Sequence, residues 1–223
     1  GRSANGRWLL KRSVDRDKDQ SYFLFSLTQD QLAGAIFPVG SLSKPAVRAE
    51  ARRLGLTVAD KADSQEICFV PDGDYAAFVA SRTADSRGGA ILDERGRALA
   101  THGGVLRFTI GQRKGLGIVR GMPLYVVKSA ADSGNVTVGP RSSLERSSLT
   151  ASDVNWVSAV APSEWVRVSA QVRHRDRAAG GRVRAVDDRR AEFEFDDPQA
   201  AVTPGQAVVF YDDDLVIGGG WIE

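Results

Sequence analysis

Apolar and polar positions change rhythm along this chain. Near the start, Trp8-Leu9-Leu10-Lys11-Arg12 is a short apolar run that predicts a strand. Thr28 then reads as an N-cap for a helix over 29–36, stopped by Phe37-Pro38. Ser43 caps a clearer helix with Pro45 in its first turn. Its Val47, Ala51 and Leu54 follow the i, i+4, i+7 spacing of a core-facing stripe, and Gly55 supplies the C-terminal stop. Val58-Ala59 reads as a brief strand, followed by a polar stretch, 60–66, that reads as a loop. Pro71-Asp72-Gly73 marks a turn, and Asp74 caps a short helix over 75–79.

From Gly88 onward the pattern is that of strands. Runs at 90–92, 105–110, 124–128 and 136–138 are separated by glycines and Asp/Ser/Asn turns, with Ser133-Gly134-Asn135 joining a hairpin. A second series lies at 153–156, 165–172, 181–186, 191–195, 207–211 and 215–222. Its spacing of roughly ten residues is that of a small closed barrel or sandwich. The fold class expected is α+β: a short α/β piece over 1–70, a small middle domain over 71–148 and a C-terminal antiparallel β-barrel over 149–223.

Composition narrows the class. With 42% hydrophobic and 26% charged residues the chain is an ordinary globular protein, and no run approaches the ~18 apolar residues that span a bilayer. No signal-peptide core is visible at the start, and the single cysteine, Cys68, forms no internal disulfide. A reducing cytoplasm is therefore the expected compartment, with no membrane partner. The net charge of +2 hides an arginine cluster at 167, 173, 175, 177, 182, 184, 189 and 190, set against Asp176, Asp187 and Asp188. Such a cluster is either a solvated face or a phosphate-binding surface.

Candidate chemistry is sparse. Only His102 and His174 occur, neither with a Cys or His neighbour at metal-ligand spacing, so no metal site is expected. No GxSxG elbow or GxxxxGK[ST] loop is present. Gly111-Gln112-Arg113-Lys114-Gly115-Leu116-Gly117 is glycine-rich and basic, and reads either as an anion cradle or as a tight turn. Lys18-Asp19-Gln20-Ser21-Tyr22 sets polar reach beside aromatic surface, which suits positioning an RNA base. Cys68, in Asp63-Ser64-Gln65-Glu66-Ile67-Cys68-Phe69, is either a small buried apolar side chain or a reactive thiol on a polar loop.

Together these segments resemble one family, the bacterial tRNA-specific 2-thiouridylases. The resemblance runs through the segment from Lys18, Phe37-Pro38-Val39-Gly40, Lys44-Pro45-Ala46-Val47-Arg48 and the cysteine segment. It continues through Thr109-Ile110 with the 111–117 loop, Ala201-Val202-Thr203-Pro204-Gly205-Gln206 and Gly218-Gly219-Gly220. Members open with a Ser-Gly-Gly-x-Asp-Ser loop and a first catalytic cysteine that this sequence lacks, so it resembles the C-terminal part of such an enzyme.

The resemblance implies a tRNA-uridine 2-sulfurtransferase. ATP, as co-substrate, adenylates the C2 oxygen of the wobble uridine; a cysteine persulfide delivers sulfur, and the other catalytic cysteine completes release through a transient disulfide. Cys68 matches the persulfide carrier. Lys18, Asp19 and Gln20 match a tRNA-touching segment, Arg173 and His174 match a contact pair in the barrel, where His174 stands at a position often tyrosine, and Gln206 matches a further contact. The ATP site is missing from this sequence, so the chain alone is expected to be inactive. The implied partners are tRNA with a wobble uridine and a sulfur-carrier protein or cysteine desulfurase. The family barrel resembles the second domain of translation elongation factors. The alternative reading is a non-enzymatic RNA-binding β-barrel with a structural cysteine.

Overall fold

A computed structural model describes residues 1–62, 78–79, 82, 87–118, 121–130 and 132–223. These fall into two compact units, one built from Gly1–Lys61 with Arg146–Glu223 and the other from Ala62–Glu145.

In the first unit, six strands close into a barrel: β5 (Glu145–Trp156), β6 (Val166–Gln171), β7 (Ala179–Ala185), β8 (Ala191–Ala200), β9 (Ala207–Asp212) and β10 (Leu215–Ile222). They are ordered β10-β5-β8-β7-β6-β9, with antiparallel pairing at β10–β5, β10–β9, β6–β7, β6–β9 and β7–β8. The expected closed barrel is present, and two-residue periodicity builds it. On β7 and β8, Gly181, Val183, Ala191, Phe193 and Phe195 point inward while Arg182, Arg184, Glu192 and Glu194 face outward. Inside, Phe210 lies between Trp156 and Phe193, with ring centroids 6.1 and 5.8 Å away. Gly181 is required there, since a Cβ would sit 2.2 Å from the Glu194 carbonyl and 2.4 Å from the Phe193 ring.

Strand β9 is buried continuously from Ala207 to Tyr211 because both of its faces are covered. Val208 and Phe210 fill the barrel, while Val209 and Tyr211 face outward into a second core with Leu10, Tyr22, Phe25 and Leu32. The first 32 residues thus form a jacket on the barrel wall. Backbone and side-chain hydrogen bonds hold it. The Asn155 amide donates to the Phe25 and Leu27 carbonyls at 2.7 and 2.9 Å, Gln29 donates to the Val157 carbonyl at 2.7 Å, and Tyr22 donates to the Ala207 carbonyl at 2.8 Å.

Three helices lie in this region: α1 (Ser21–Leu24), α2 (Gln29–Gly34) and α3 (Lys44–Arg53). Thr28 and Gln31 form a full capping box on α2. At α3, Ser43 Oγ accepts from the Ala46 amide and Asp15 accepts from the Lys44 amide at 2.7 Å, so two of its open N–H groups are satisfied. Gly55 ends it at φ 69°.

Several sequence expectations are corrected. Residues 8–12 make single bridges, Arg2 to Trp8 and Lys11 to Leu215, instead of a strand. The Leu10 amide is taken by Ser158 Oγ and its carbonyl by the Val216 amide, so this segment meets the barrel one residue at a time. The α3 stripe is not core-facing: no α3 residue is buried, and Leu54 is 57% exposed. The second core is closed by Leu10, Tyr22, Phe25 and Leu32, which leaves α3 outside it. Val58-Ala59 is a turn, with the Ala59 amide bonded to the Leu56 carbonyl. Most of the helix expected over 75–79 lies outside the described residues.

The second unit holds a four-stranded sheet ordered β2-β1-β4-β3, from β1 (Gly89–Asp93), β2 (Ala98–His102), β3 (Tyr125–Ala130) and β4 (Asn135–Gly139). Ile91, Val105, Leu116, Val126, Val136 and Val138 form its core. The 133–135 hairpin forms as expected between β3 and β4, turning at Gly134 with φ 71°. The 105–110 run is not a strand. Val105–Arg107 is a 3-10 turn that buries Val105 and leaves Leu106 exposed, following the Gly103-Gly104 pair. Strand β2 went unread because Thr101 and the alanines carry little apolar signal; the Asp93 carboxylate closes its hairpin by accepting from the Arg95 and Arg97 amides.

Gly219 fixes how closely the jacket approaches the barrel. A Cβ there would sit 2.7 Å from both the Phe25 ring and the Val208 carbonyl, whereas one at Gly34 meets nothing within 4 Å. Gly219→Ala is expected to lose about 1–3 kcal/mol by urea unfolding, while Gly34→Ala is neutral or gains up to about 1 kcal/mol.

Candidate functional site

A partly buried polar chain joins two of the segments singled out in the sequence. The Arg12 guanidinium lies 4.2 Å above the Tyr211 ring centre, donates from Nε to Asp19 Oδ2 at 2.9 Å and donates from Nη2 to Gln171 Oε1 at 2.8 Å. Gln171, buried at the end of β6, passes the linkage on: its Nε2 donates to the carbonyls of Arg173 at 2.9 Å and His174 at 2.8 Å. The β6–β7 turn is thereby held to the jacket through side chains alone.

Asp19 is the acceptor hub. Its carboxylate takes the Arg12 guanidinium, the amides of Ser13 and Ser21, and the Ser21 hydroxyl, and its side chain is 8% exposed. Burial disfavours the charged form, but the hydrogen bonds from Arg12, Ser21 and Ser13 outweigh it and hold the carboxyl below its ordinary value. Ser21 Oγ also meets Tyr211 OH at 3.2 Å. Burial pushes the Tyr211 phenol up to about 12, so it stays protonated. Lys18 and Gln20, on either side of Asp19, are exposed.

The other candidates gather at one cleft. Arg173, His174 and Gln206 line a cleft of about 450 Å³ together with Tyr22, Phe23 and Trp221. His174 packs on Phe23 with ring centroids 4.5 Å apart. Arg173 Nη2 donates to the Ala201 carbonyl at 3.0 Å, while its Nε is buried without a partner. Gln206 follows the turn at Gly205, where φ is 81°, and its Oε1 is also buried without a partner. The structure thus brings Arg173, His174 and Gln206 together, and ties Asp19 to their loop through Arg12 and Gln171. Cys68 lies outside the described residues.

Sequence reasoning missed Arg12, Gln171 and Tyr211 as organisers, and Phe23 and Trp221 as cleft walls. One signal was available for Gln171, a polar residue between Ala170 and Val172 in an apolar run. The glycine-rich loop at 111–117 is organised as a turn: Gln112 accepts from the Thr109 amide and donates to the Lys114 carbonyl, both at 2.9 Å.

The arginine cluster divides in two. Arg167, Arg182 and Arg184 pair across the barrel surface with Asp196, Glu194 and Glu192, and Arg189 and Arg190 pair with Asp153 and Glu223. Arg182 and Arg184 also flank the Trp165 ring. Arg175 and Arg177, in the same turn as His174, are exposed and have no side-chain partner among the described residues. Most of the cluster is a self-neutralised face, and the unbalanced charge sits beside the cleft. Among the described residues no group of His, Cys, Asp and Glu is arranged to hold a metal ion.

Comparison with known proteins covers nearly the whole chain. Residues 2–72 match the tRNA methyl transferase HUP domain, 76–140 the tRNA methyl transferase PRC-barrel domain, and 146–222 the aminomethyltransferase β-barrel domain. A tRNA-specific 2-thiouridylase of Solibacter usitatus is 52% identical over 229 residues, covering 99% of this chain and 62% of that protein. Enzymes of the same name from Geotalea uraniireducens and Geobacter metallireducens are 49% and 48% identical, over 99% and 100% of this chain. The chain spans 59% and 60% of their respective lengths.

Asp19→Asn is expected to lose about 1.5–3 kcal/mol of stability near neutral pH, because a charge-assisted hydrogen-bond hub is removed. A carboxyl held below its ordinary value of 3.8 stabilises the fold fully above that pH and loses the contribution as pH falls through its folded value. Urea titrations at pH 6 and pH 3 should therefore show the gap between wild type and Asp19→Asn closing on the acid side.

Proposed function

The chain belongs to the tRNA-specific 2-thiouridylase family, and on that premise we propose that it carries the tRNA-gripping and sulfur-relay parts of such an enzyme. In this reading the substrate is a tRNA whose wobble uridine exchanges its C2 oxygen for sulfur. ATP supplies the activation by turning that oxygen into a leaving group. Cys68 carries the sulfur as a persulfide, whose outer sulfur bonds to C2 as the adenylated oxygen departs. A second thiol, from outside these 223 residues, then attacks the Cys68 sulfur, breaks the S–S bond and leaves the outer sulfur on the base. An external thiol reductant reopens that disulfide by thiol–disulfide exchange, and a sulfur-carrier protein or cysteine desulfurase then transfers a sulfane sulfur to Cys68.

The observation that carries the gripping role is the convergence of Arg173, His174 and Gln206 on one cleft, with Arg175 and Arg177 beside it. Unpaired guanidinium groups are suited to phosphate oxygens, whereas those already paired with carboxylates have little left to offer. Lys18 and Gln20 flank Asp19, which is linked to the same turn through Arg12 and Gln171, and this supports reading them as further donors. For Cys68 the support is chemical: a polar sequence context suits a thiolate that a sulfur donor must reach.

Two measurements test the two roles separately. In filter binding with tRNA across a salt series, Arg175→Ala and Arg177→Ala are each expected to weaken binding and lower the log–log salt slope by about 0.7–0.9. Arg182→Ala should leave the slope near that of wild type. Equal slopes for all three would remove the turn from the phosphate-binding surface. For the relay, mass spectrometry after incubation with a persulfide donor should find one added sulfur on Cys68. An unmodified Cys68 would favour the rival reading, an RNA-binding module with a structural thiol.

A further inference from the structure

The second unit carries a charge imbalance of its own. From Arg95 to Ala131 the sequence has seven Lys or Arg (95, 97, 107, 113, 114, 120 and 128) and no Asp or Glu, in a chain whose totals are 30 and 28. On the barrel, most arginines of the cluster are neutralised by carboxylates. Among the described residues of this stretch, only Arg97 has such a partner, Asp93. Arg107, Arg113 and Lys114 are exposed and have no side-chain partner among the described residues. Like charges gathered without counter-charge repel one another, and a bound anion relieves that repulsion.

The connection that carries these cations has a fixed shape. Phe108, Leu116 and Ile118 pack into the core of the unit and pin its two ends. Between them the Gly111 amide donates to the Val126 carbonyl at 2.8 Å, and the Val126 amide donates back to the Gln112 carbonyl at 2.9 Å, which fastens the loop to β3. The Gln112 side chain accepts from the Thr109 amide and donates to the Lys114 carbonyl, and the chain then turns at Gly115 with φ 76°. Acceptors are thereby used up and donors are left over. Among the described residues, the amides of Arg113, Lys114, Gly115 and Gly117 donate to no partner. Successive main-chain N–H groups around a residue at positive φ are suited to an anion oxygen.

We propose that the 107–117 connection binds backbone phosphate of the RNA substrate, with the 113–115 amides taking a phosphate oxygen and Arg107, Arg113 and Lys114 supplying charge. The proposal rests on the tRNA-gripping reading and adds a phosphate site on the other unit. Phe108, the one aromatic residue of the connection, is engaged with the core and with His102, ring centroids 4.6 Å apart. The loop therefore offers no base a ring to stack on, and it positions the RNA without reading its sequence. Three cations along one connection suit the repeated charges of a phosphate backbone better than the isolated carboxylate of a protein surface.

The test is filter binding of the 223-residue chain to a tRNA with a wobble uridine across a salt series, each variant first matched to wild type by thermal melt. Arg113→Ala and Lys114→Ala are each expected to lower the log–log slope by about 0.7–0.9, and the double substitution by about twice that. Arg113→Lys, which keeps the charge, should hold the wild-type slope, as should Arg95→Ala, whose side chain lies next in sequence to Asp93 and Glu94. Phosphate ethylation interference on the same RNA gives the positional readout. At least one phosphate whose ethylation weakens wild-type binding should lose that effect in the double variant and keep it in Arg175→Ala. A lowered slope with no phosphate losing its effect would overturn the site, because the cations would then act only at a distance. Wild-type slopes for Arg113→Ala and Lys114→Ala, beside a lowered slope for Arg175→Ala, would overturn it too, leaving the gripping role intact and these cations to an acidic protein surface. Absence of wild-type binding even at low salt would overturn both.

Discussion

Everything near the cleft depends on where the Arg12 guanidinium sits. It touches Asp19 in the jacket, the Tyr211 ring in the barrel wall, and Gln171, which in turn holds the β6–β7 turn. An arginine suits this place better than a lysine would. Its planar fork directs one N–H along each of two fixed directions while its flat face covers an aromatic ring. A compact ammonium would satisfy one partner and leave the others under-bonded. The linkage also explains why Asp19 accepts four hydrogen bonds: a carboxylate this enclosed is tolerable only when its lone pairs are met.

From this hub the architecture follows outward. Strand β9 has two apolar faces, so it can serve as the shared wall of two cores, one inside the barrel and one under the jacket. The turn that carries Arg173 and His174 hangs from Gln171, and Gln206 immediately precedes the strand that forms that wall. The cleft is therefore bounded by elements bonded to one another, which lowers the cost of ordering its side chains on binding. The tRNA-gripping reading draws on those bonds.

The sequence made the barrel legible because outward and inward residues alternate strictly on β7 and β8, and because Gly and Pro mark the breaks. It made the caps of α2 and α3 legible because Thr28 and Ser43 have one dominant use in front of a helix. The jacket was not legible. Residues 8–12 look like a strand by composition, and only the tertiary partners Ser158 and Val216 decide that they bridge singly. The amphipathic spacing on α3 is real, yet a period says which residues share a face and nothing about what covers that face. The candidate site was readable residue by residue through its family likeness, but its grouping was not. Arg12 and Gln171 lie 159 positions apart, and no local pattern announces such a pair.

The ion-pair ladder on the barrel has one more consequence. Arg182 and Arg184 face Glu194 and Glu192 across the adjacent strands β7 and β8, and Arg167 on β6 reaches past β7 to Asp196, so that wall presents alternating charges with almost no net field. A polyanion drifting past it is neither held nor turned away. On the tRNA-gripping proposal, attraction is left to the turn with Arg175 and Arg177, which would orient an RNA before contact. A barrel studded with arginines on every side would capture any nucleic acid in any pose and release it slowly. The ion-paired wall of this barrel offers no such hold, which on that proposal leaves fewer unproductive poses.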